Sequence, residues 1–442
     1  MDKKKLILFL WTPLILLAII NLLTVFTPEI GFDALWYHLT LPKLWLLKKQ
    51  WYFEGGLLYY SVMPRLTETL FIPLIKMTGF IGPKLIQYLS GIGTGIIIWK
   101  ISSKLKYSTV LKLVTVSLFY GTWLVSWQSG SAYIDLFRTL LEALALYYIL
   151  GDSLIKGGIF LGLAIGTKWL SLGSVCIYAL VFGAPLLIPA LLLSAPWLYL
   201  AYSYTGNPVY PLFSPLLHQS LLPVTTIINN IIFLPIVATF PYDDFLSPLV
   251  GILIVLSIIA LFSRNKIIQK ISLIGILGTI YSLILNPPSS RFMLPYLPAL
   301  IISAVYTVGK LKVNLQKVFI YLAIVSSMII LGMRIFAIIK YVPLLIGKET
   351  QNTFLSKLSA RLPDTFIDTD NFVQDNIPQN SKIIIDKLHN LYYFPYNFDH
   401  TSWTKTISGY DYLVTKETKQ DDIKGELLHT NKVGIQIYKL IK

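Results

Sequence analysis

Few ionisable side chains interrupt this apolar chain, and those that do fall into patterns that could do chemistry. Asp33 stands just past the first apolar run, followed by Tyr37 and His38. A carboxylate there could be catalytic. It also suits the N-cap of a helical run from Ala34 to Leu41, and the two roles are compatible. His38 follows five positions on, about 140° round an ideal helix, so the pair shares no face and the spacing does not indicate a metal site. Glu68 lies beside Arg65 in an apolar segment. Asp135, Arg138 and Glu142 recur at i, i+3 and i+7, on one helix face. They are either a self-neutralising ladder that lets the helix enter a bilayer or the wall of a cavity. Lys168 in Gly-Thr-Lys-Trp either snorkels to an interface or grips a phosphate. Arg291, after Asn286-Pro-Pro-Ser-Ser, carries a planar fork of donors that suits lipid phosphate. Neither a P-loop nor a Gly-x-Gly-x-x-Gly motif occurs, so no soluble nucleotide is indicated.

The elements that position these groups follow from composition. Of 442 residues 55% are hydrophobic and 13% charged, with mean hydropathy +0.65. That is about half the usual charged fraction. Apolar runs near the roughly 20-residue length of a bilayer span recur from residue 6 to residue 340. We expect an all-α polytopic membrane protein with about eleven transmembrane helices. They lie near 6–26, 82–100, 109–127, 133–150, 156–170, 171–183, 186–203, 247–263, 267–285, 291–309 and 317–338. The run Leu6–Phe26 is too long for a signal-peptide core and lacks a small-residue cleavage site, so it reads as an uncleaved first helix.

The net charge of +15 orients the chain and does not mark a nucleic-acid partner. With the N-terminus in the cytoplasm, that side receives Lys3–Lys5, Lys100, Lys104, Lys106, Lys156, Arg264, Lys266, Lys270, Lys310, Lys312 and Lys317. A crossing by Val62–Met77 would break this pattern, so that segment reads as juxtamembrane or re-entrant. Two outer loops, 27–81 and 204–246, then share the extracytoplasmic side with the tail. The second contains an apolar patch around Ile227–Val237. Residues 1–345 form the membrane domain. Residues 346–442 form a small α/β module, with strands at Lys382–Asp386, Tyr410–Thr415 and Lys432–Tyr438 and a helix before the first. The single cysteine, Cys176, excludes an intrachain disulfide, and the lack of an Asn-x-Ser/Thr sequon fits the plasma membrane of a prokaryote.

Several motifs, in order, make the membrane part resemble the GT-C superfamily of polyprenyl-phosphate-dependent glycosyltransferases, such as protein O-mannosyltransferases and lipid A aminoarabinose transferases. They are Gly31-Phe-Asp-Ala-Leu-Trp-Tyr-His-Leu-Thr-Leu-Pro-Lys43, Met63-Pro-Arg-Leu-Thr-Glu68, Ser131-Ala-Tyr-Ile-Asp135, Gly162-Leu-Ala-Ile-Gly-Thr-Lys168, Thr205-Gly-Asn-Pro-Val-Tyr-Pro211 and Ser290-Arg-Phe-Met-Leu-Pro-Tyr-Leu-Pro298. The resemblance implies that Asp33 is the catalytic base, that Lys168 and Arg291 hold the carrier's phosphate, and that Tyr37, His38, Glu68 and Asp135 are further candidates for the site. Many relatives carry two adjacent acids where this chain has Asp33-Ala34. Some branches of the family hold a divalent metal at that place, and the spacing in this chain does not indicate one. The implied partners are a polyprenyl-phosphate-linked sugar, an acceptor that is a lipid, glycan or protein, and the membrane lipids.

Two other readings compete. A flippase for lipid-linked sugars predicts a pathway crossing the membrane, yet no internal symmetry of the transporter kind occurs. A scaffold that presents its soluble tail predicts scattered charges. An enzyme predicts that Asp33, Lys168 and Arg291 meet in one cavity.

Overall fold

The computed structural model describes residues 3–51, 53–215, 221–240, 245–286, 288–404, 406–416 and 423–441. Parts of the expected 204–246 loop, at 216–220 and 241–244, lie outside them.

Most of the chain is helical. In order come α1 (Lys3–Val25), α2 (Thr40–Lys48), α3 (Leu66–Thr78), α4 (Ile81–Lys104), α5 (Thr109–Tyr120), α6 (Trp123–Gln128), α7 (Asp135–Ile149), α8 (Leu154–Thr167), α9 (Ser171–Phe182) and α10 (Leu187–Thr205). Then follow α11 (Val224–Ile232), α12 (Leu234–Thr239), α13 (Val250–Ala260), α14 (Lys266–Ile284), α15 (Leu297–Val308) and α16 (Val313–Ile339). Five helical stretches are long and apolar enough to cross a membrane: Lys4–Val25, Ala184–Thr205, Lys266–Ile284, Ser290–Val308 and Val313–Ile339. This is a multi-pass membrane protein. Its outer faces present Phe9, Ile19, Leu192, Phe262 and Phe336 to the surroundings, a surface that only lipid would solvate well.

The other six expected spans are helical but shorter or charged. The expected 109–127 run is divided at Gly121–Thr122 into α5 and α6; a Cβ at Gly121 would meet Ser327 Oγ of α16 at 2.6 Å and the Ser117 carbonyl of α5 at 2.5 Å, so only glycine fits there. The expected 291–309 run opens as a 3-10 turn, Ser290–Tyr296, before α15. The segment expected to be juxtamembrane is α3, and the apolar patch at 227–237 is α11 and α12, tied to α14 by Asn230 donating to the Leu283 carbonyl at 2.9 Å.

After the short helices α17 (Val342–Leu345), α18 (Gln351–Lys357) and α19 (Phe372–Asn376), the tail forms a mixed five-stranded sheet, of order β2-β1-β3-β5-β4. The strands are β1 (Ile383–Ile385), β2 (Asp399–His400), β3 (Tyr412–Lys416), β4 (Gly425–Thr430) and β5 (Ile435–Leu440). β1 runs parallel to β2 and β3, and β5 antiparallel to β3 and β4. Alternation divides the side chains between two faces. Ile383, Ile385, Val414, Ile435 and Ile437 face Phe366 and Phe394, and this core continues into Tyr37, Leu41, Leu44 and Trp45 of the first loop. The tail and the first loop therefore pack as one layer over the end of the bundle. Lys43 fastens them, donating to the Tyr392 and Phe394 carbonyls at 2.7 and 2.6 Å.

Candidate functional site

Glu29 sets the entry to the site. Its carboxylate accepts the Ile30 and Gly31 amides at 2.9 and 2.7 Å and the Ala132 amide at 2.5 Å, and Ser131 Oγ donates at 3.1 Å. That locks the chain after α1 onto the α6–α7 connection. Gly31 lies so close to that connection that a Cβ would stand 2.5 Å from the Tyr133 ring. Asp33 follows with helical backbone angles, and a π-helical turn, Ala34–His38, succeeds it. The expected N-cap does not form: the Asp33 side chain makes no capping bond. Its Oδ2 instead accepts from Arg291 Nη1 at 2.7 Å.

Arg291 is held in place by the 3-10 turn. Ser289 Oγ accepts both its amide and its Nε at 3.4 Å. Among the described residues Nη2 has no hydrogen-bond acceptor. Lys168 sits where α8 stops, in extended conformation (φ −152°, ψ 123°), before α9 begins at Ser171. That single extended residue turns its side chain to Asp135 Oδ1, 2.7 Å away, and over the Phe292 ring. Asp135 opens α7 and also accepts from Gln128 Nε2 at 3.3 Å.

A cavity of about 240 Å³ gathers these groups, with Asp33, Tyr37, Lys168 and Arg291 on its wall together with Trp36, Tyr60, Trp169 and Phe292. Asp33 and Arg291 remain 18% and 19% exposed, so the pair is reachable. Two cations and aromatic walls suit an anionic group attached to a flat or ring-shaped one, by charge-assisted bonds and by stacking.

The structure does not bring His38 and Glu68 to this cavity. His38 Nδ1 and Arg65 Nη1 meet Glu68 Oε1 at 2.7 and 2.9 Å in the interior. Burial alone would raise the Glu68 carboxyl, but Arg65 and then the His38 hydrogen bond reverse this and hold it below the usual carboxylate range. Arg65 also lies under the Tyr37 ring, 5.4 Å from its centroid, so the trio backs the cavity wall from behind. The expected Asp135–Arg138–Glu142 ladder forms only in part. Arg138 Nε pairs with Glu142 Oε1 at 2.8 Å and with Ser171 Oγ, while Asp135 turns away to Lys168.

Sequence reasoning missed Glu29, Trp36, Tyr60, Trp169 and His389. Only the aromatic run around Trp36 gave a signal. His389, in the tail module, stacks on Phe32 and Trp36 with ring centroids 4.9 and 4.5 Å away. Burial lowers the pKa of this imidazole below its ordinary value. Among the described residues no three His, Cys, Asp or Glu side chains cluster as metal ligands.

No protein-family model matches the chain, and no curated protein matches it by sequence. The solved structures that match its fold include two of ArnT. The crystal structure of ArnT from Cupriavidus metallidurans in the apo state has a TM-score of 0.62 at 12% identity, covering 96% of each chain. The crystal structure of the same protein bound to undecaprenyl phosphate has a TM-score of 0.65 at 13% identity, covering 99% of this chain and 98% of that one. Along nearly its whole length, this chain has the fold of ArnT, an aminoarabinose transferase of the GT-C type.

Proposed function

We propose that this protein is an integral membrane glycosyltransferase that moves a sugar from a polyprenyl-phosphate carrier to an acceptor on the extracytoplasmic side. The observation that carries this reading is the meeting of Asp33, Lys168 and Arg291 in one cavity, at the end of the bundle that the tail module covers. A membrane pathway would instead spread such groups through the depth of the bundle, and a scaffold would have no reason to gather them. The likeness to a protein crystallised with undecaprenyl phosphate makes a lipid-borne donor the natural substrate.

The chemistry then needs little. The acceptor's O–H or N–H attacks the anomeric carbon, its proton passes to a carboxylate oxygen of Asp33, and the bond from the anomeric carbon to the phosphate oxygen breaks. The carrier leaves as polyprenyl phosphate, its new negative charge held by Arg291 and Lys168 in a low-dielectric site. At rest both cations are occupied by Asp33 and Asp135. An incoming phosphate competes for them, and Arg291 can use Nη2 for it. That competition frees Asp33 to face the acceptor once the donor is seated. Trp36, Tyr60 and Trp169 supply the ring faces against which a sugar would lie.

The test uses the purified full-length protein. Undecaprenyl phosphate should bind it, and Arg291→Gln should lose that binding. A panel of undecaprenyl-phosphate sugars should release the carrier in the presence of lipid or glycan acceptors, whereas Asp33→Asn should bind the carrier and fail to release it. Carrier release by Asp33→Asn at close to the normal rate would remove Asp33 from the reaction. Failure of the carrier to bind the intact protein would remove the lipid donor.

A further inference from the structure

The Glu29–Asp33 segment has a cavity at each of its ends. Asp33 lines the one described above. Glu29 lines a second, of about 200 Å³, enclosed by α1, α4, α6 and α16 at the same end of the bundle. Asp33 has no place on its wall. Lys84 and Arg334 reach into it from α4 and α16, only 1% and 4% exposed, and Lys340 stands exposed at its mouth.

A buried cation is costly unless it is paired. Among the described residues none of the three forms an ion pair. Lys84 donates only to the Thr27 carbonyl at 2.6 Å and to its hydroxyl at 3.4 Å. Arg334 donates through Nε to Asn21 Oδ1 at 3.1 Å and through Nη2 to Thr24 Oγ1 at 3.2 Å. Its Nη1 has no acceptor among the described residues. All these acceptors are neutral. Glu29, the one acid on the wall among the described residues, has both oxygens engaged by the Ile30, Gly31 and Ala132 amides and by Ser131. Among the described residues, three cations face one committed carboxylate, which leaves their wall short of negative charge.

The surroundings say where an anion would come from. The last turn of α16 exposes Phe336 and Ile339 beside Arg334 and Lys340, and the end of α1 exposes Leu23 and Phe26. Trp127 and Tyr341 line the cavity, and such residues favour the level of lipid headgroups. Basic pockets between membrane helices at that level fit phosphate headgroups.

We propose that this second cavity takes the phosphate of an anionic membrane lipid, held by Lys84, Arg334 and Lys340, with its acyl chains along the exposed faces of α1 and α16. The site is separate from the transfer pocket and does not depend on the transferase reading. The lipid pins α1, α4 and α16 together behind the segment that carries Asp33.

Native mass spectrometry of the full chain tests it, after reconstitution in equal phosphatidylglycerol and phosphatidylcholine and extraction into mild detergent. The intact protein should retain one phosphatidylglycerol in preference to phosphatidylcholine. Lys84→Gln with Lys340→Gln should lower that retention tenfold or more. Lys340→Gln alone, at an exposed site that folding tolerates, should lower it less but in the same direction. Lys168→Gln, in the other pocket, should leave it unchanged. Equal retention of both lipids, or undiminished phosphatidylglycerol in the lysine variants, would overturn the proposal. Loss in Lys168→Gln would place the lipid in the transfer pocket and also overturn it. Displacement by millimolar inorganic phosphate alone would mark a site for a free anion instead of a lipid and overturn the lipid source.

Discussion

Asp33–Arg291 and Arg65–Glu68 both pair a carboxylate with a guanidinium, at 2.7 and 2.9 Å, and His38 joins the second at 2.7 Å. They differ in what surrounds them. Asp33 and Arg291 border a cavity and keep nearly a fifth of their surface open, whereas Glu68 is wholly enclosed. An open pair can exchange partners with a substrate. A closed one can only hold its neighbours, and opening it would strand a charge in the interior. Access, more than residue type, distinguishes the two clusters.

Breaking each pair should therefore give opposite signatures. Asp33→Asn should cost on the order of 10²–10⁴ in rate, with thermal stability nearly unchanged. Carrier release and a melting curve on the same preparation check it. Glu68→Gln should do the reverse, costing about 3–5 kcal/mol of stability because Arg65 keeps its charge without a counter-ion. Activity per folded molecule should stay close to normal, read by denaturation followed by an assay of the surviving fraction. A large loss of rate at unchanged stability in Glu68→Gln would move Glu68 into the site.

Lys168–Asp135 is the intermediate case and sharpens the contrast, since its lysine lines the cavity while its aspartate is buried. Removing Lys168 alone mixes both effects. The double change Lys168→Gln with Asp135→Asn removes the stranded charge, so stability should recover while KM for the donor stays about tenfold raised, the worth of one charge-assisted contact. A donor KM that recovers with stability would make the pair purely structural. The smallest effect is on pH dependence. Because the Glu68 carboxyl is held below its ordinary value of about 4.3, the stability it adds is present above that pH and lost as pH falls through the lower folded value. The melting temperature should fall below about pH 4, and Glu68→Gln should flatten that fall.

How much of this was legible beforehand varies with the range of the interaction. The spans at the start of the chain and at 317–338 were plain, because twenty apolar residues in a row have few other uses. The 109–127 span was misjudged at Gly121, since only the neighbouring helix reveals why glycine is needed there. Strands β1 and β3 overlap the short apolar runs expected at 382–386 and 410–415, and β5 begins three residues later than the run expected at 432–438. β2 is two residues long and β4 is a half-exposed edge, so neither leaves a pattern. Asp33, Lys168 and Arg291 could be singled out because charge in an apolar chain is conspicuous. Glu29 could not, since a buried carboxylate capped by backbone amides looks like any loop acid until the amides are in place.

The sequence by itself determined that the chain is a membrane protein, roughly where its helices run and which few charged residues were worth following. Those properties are local, set by hydropathy summed over a turn or a span. Tertiary structure decided the partners: Arg291 for Asp33, Asp135 for Lys168, Glu68 for His38, and His389 of the tail on the ring of Trp36. Each joins residues far apart in the chain, and a pairing energy that falls off within a few ångströms leaves no periodic trace in the order of residues.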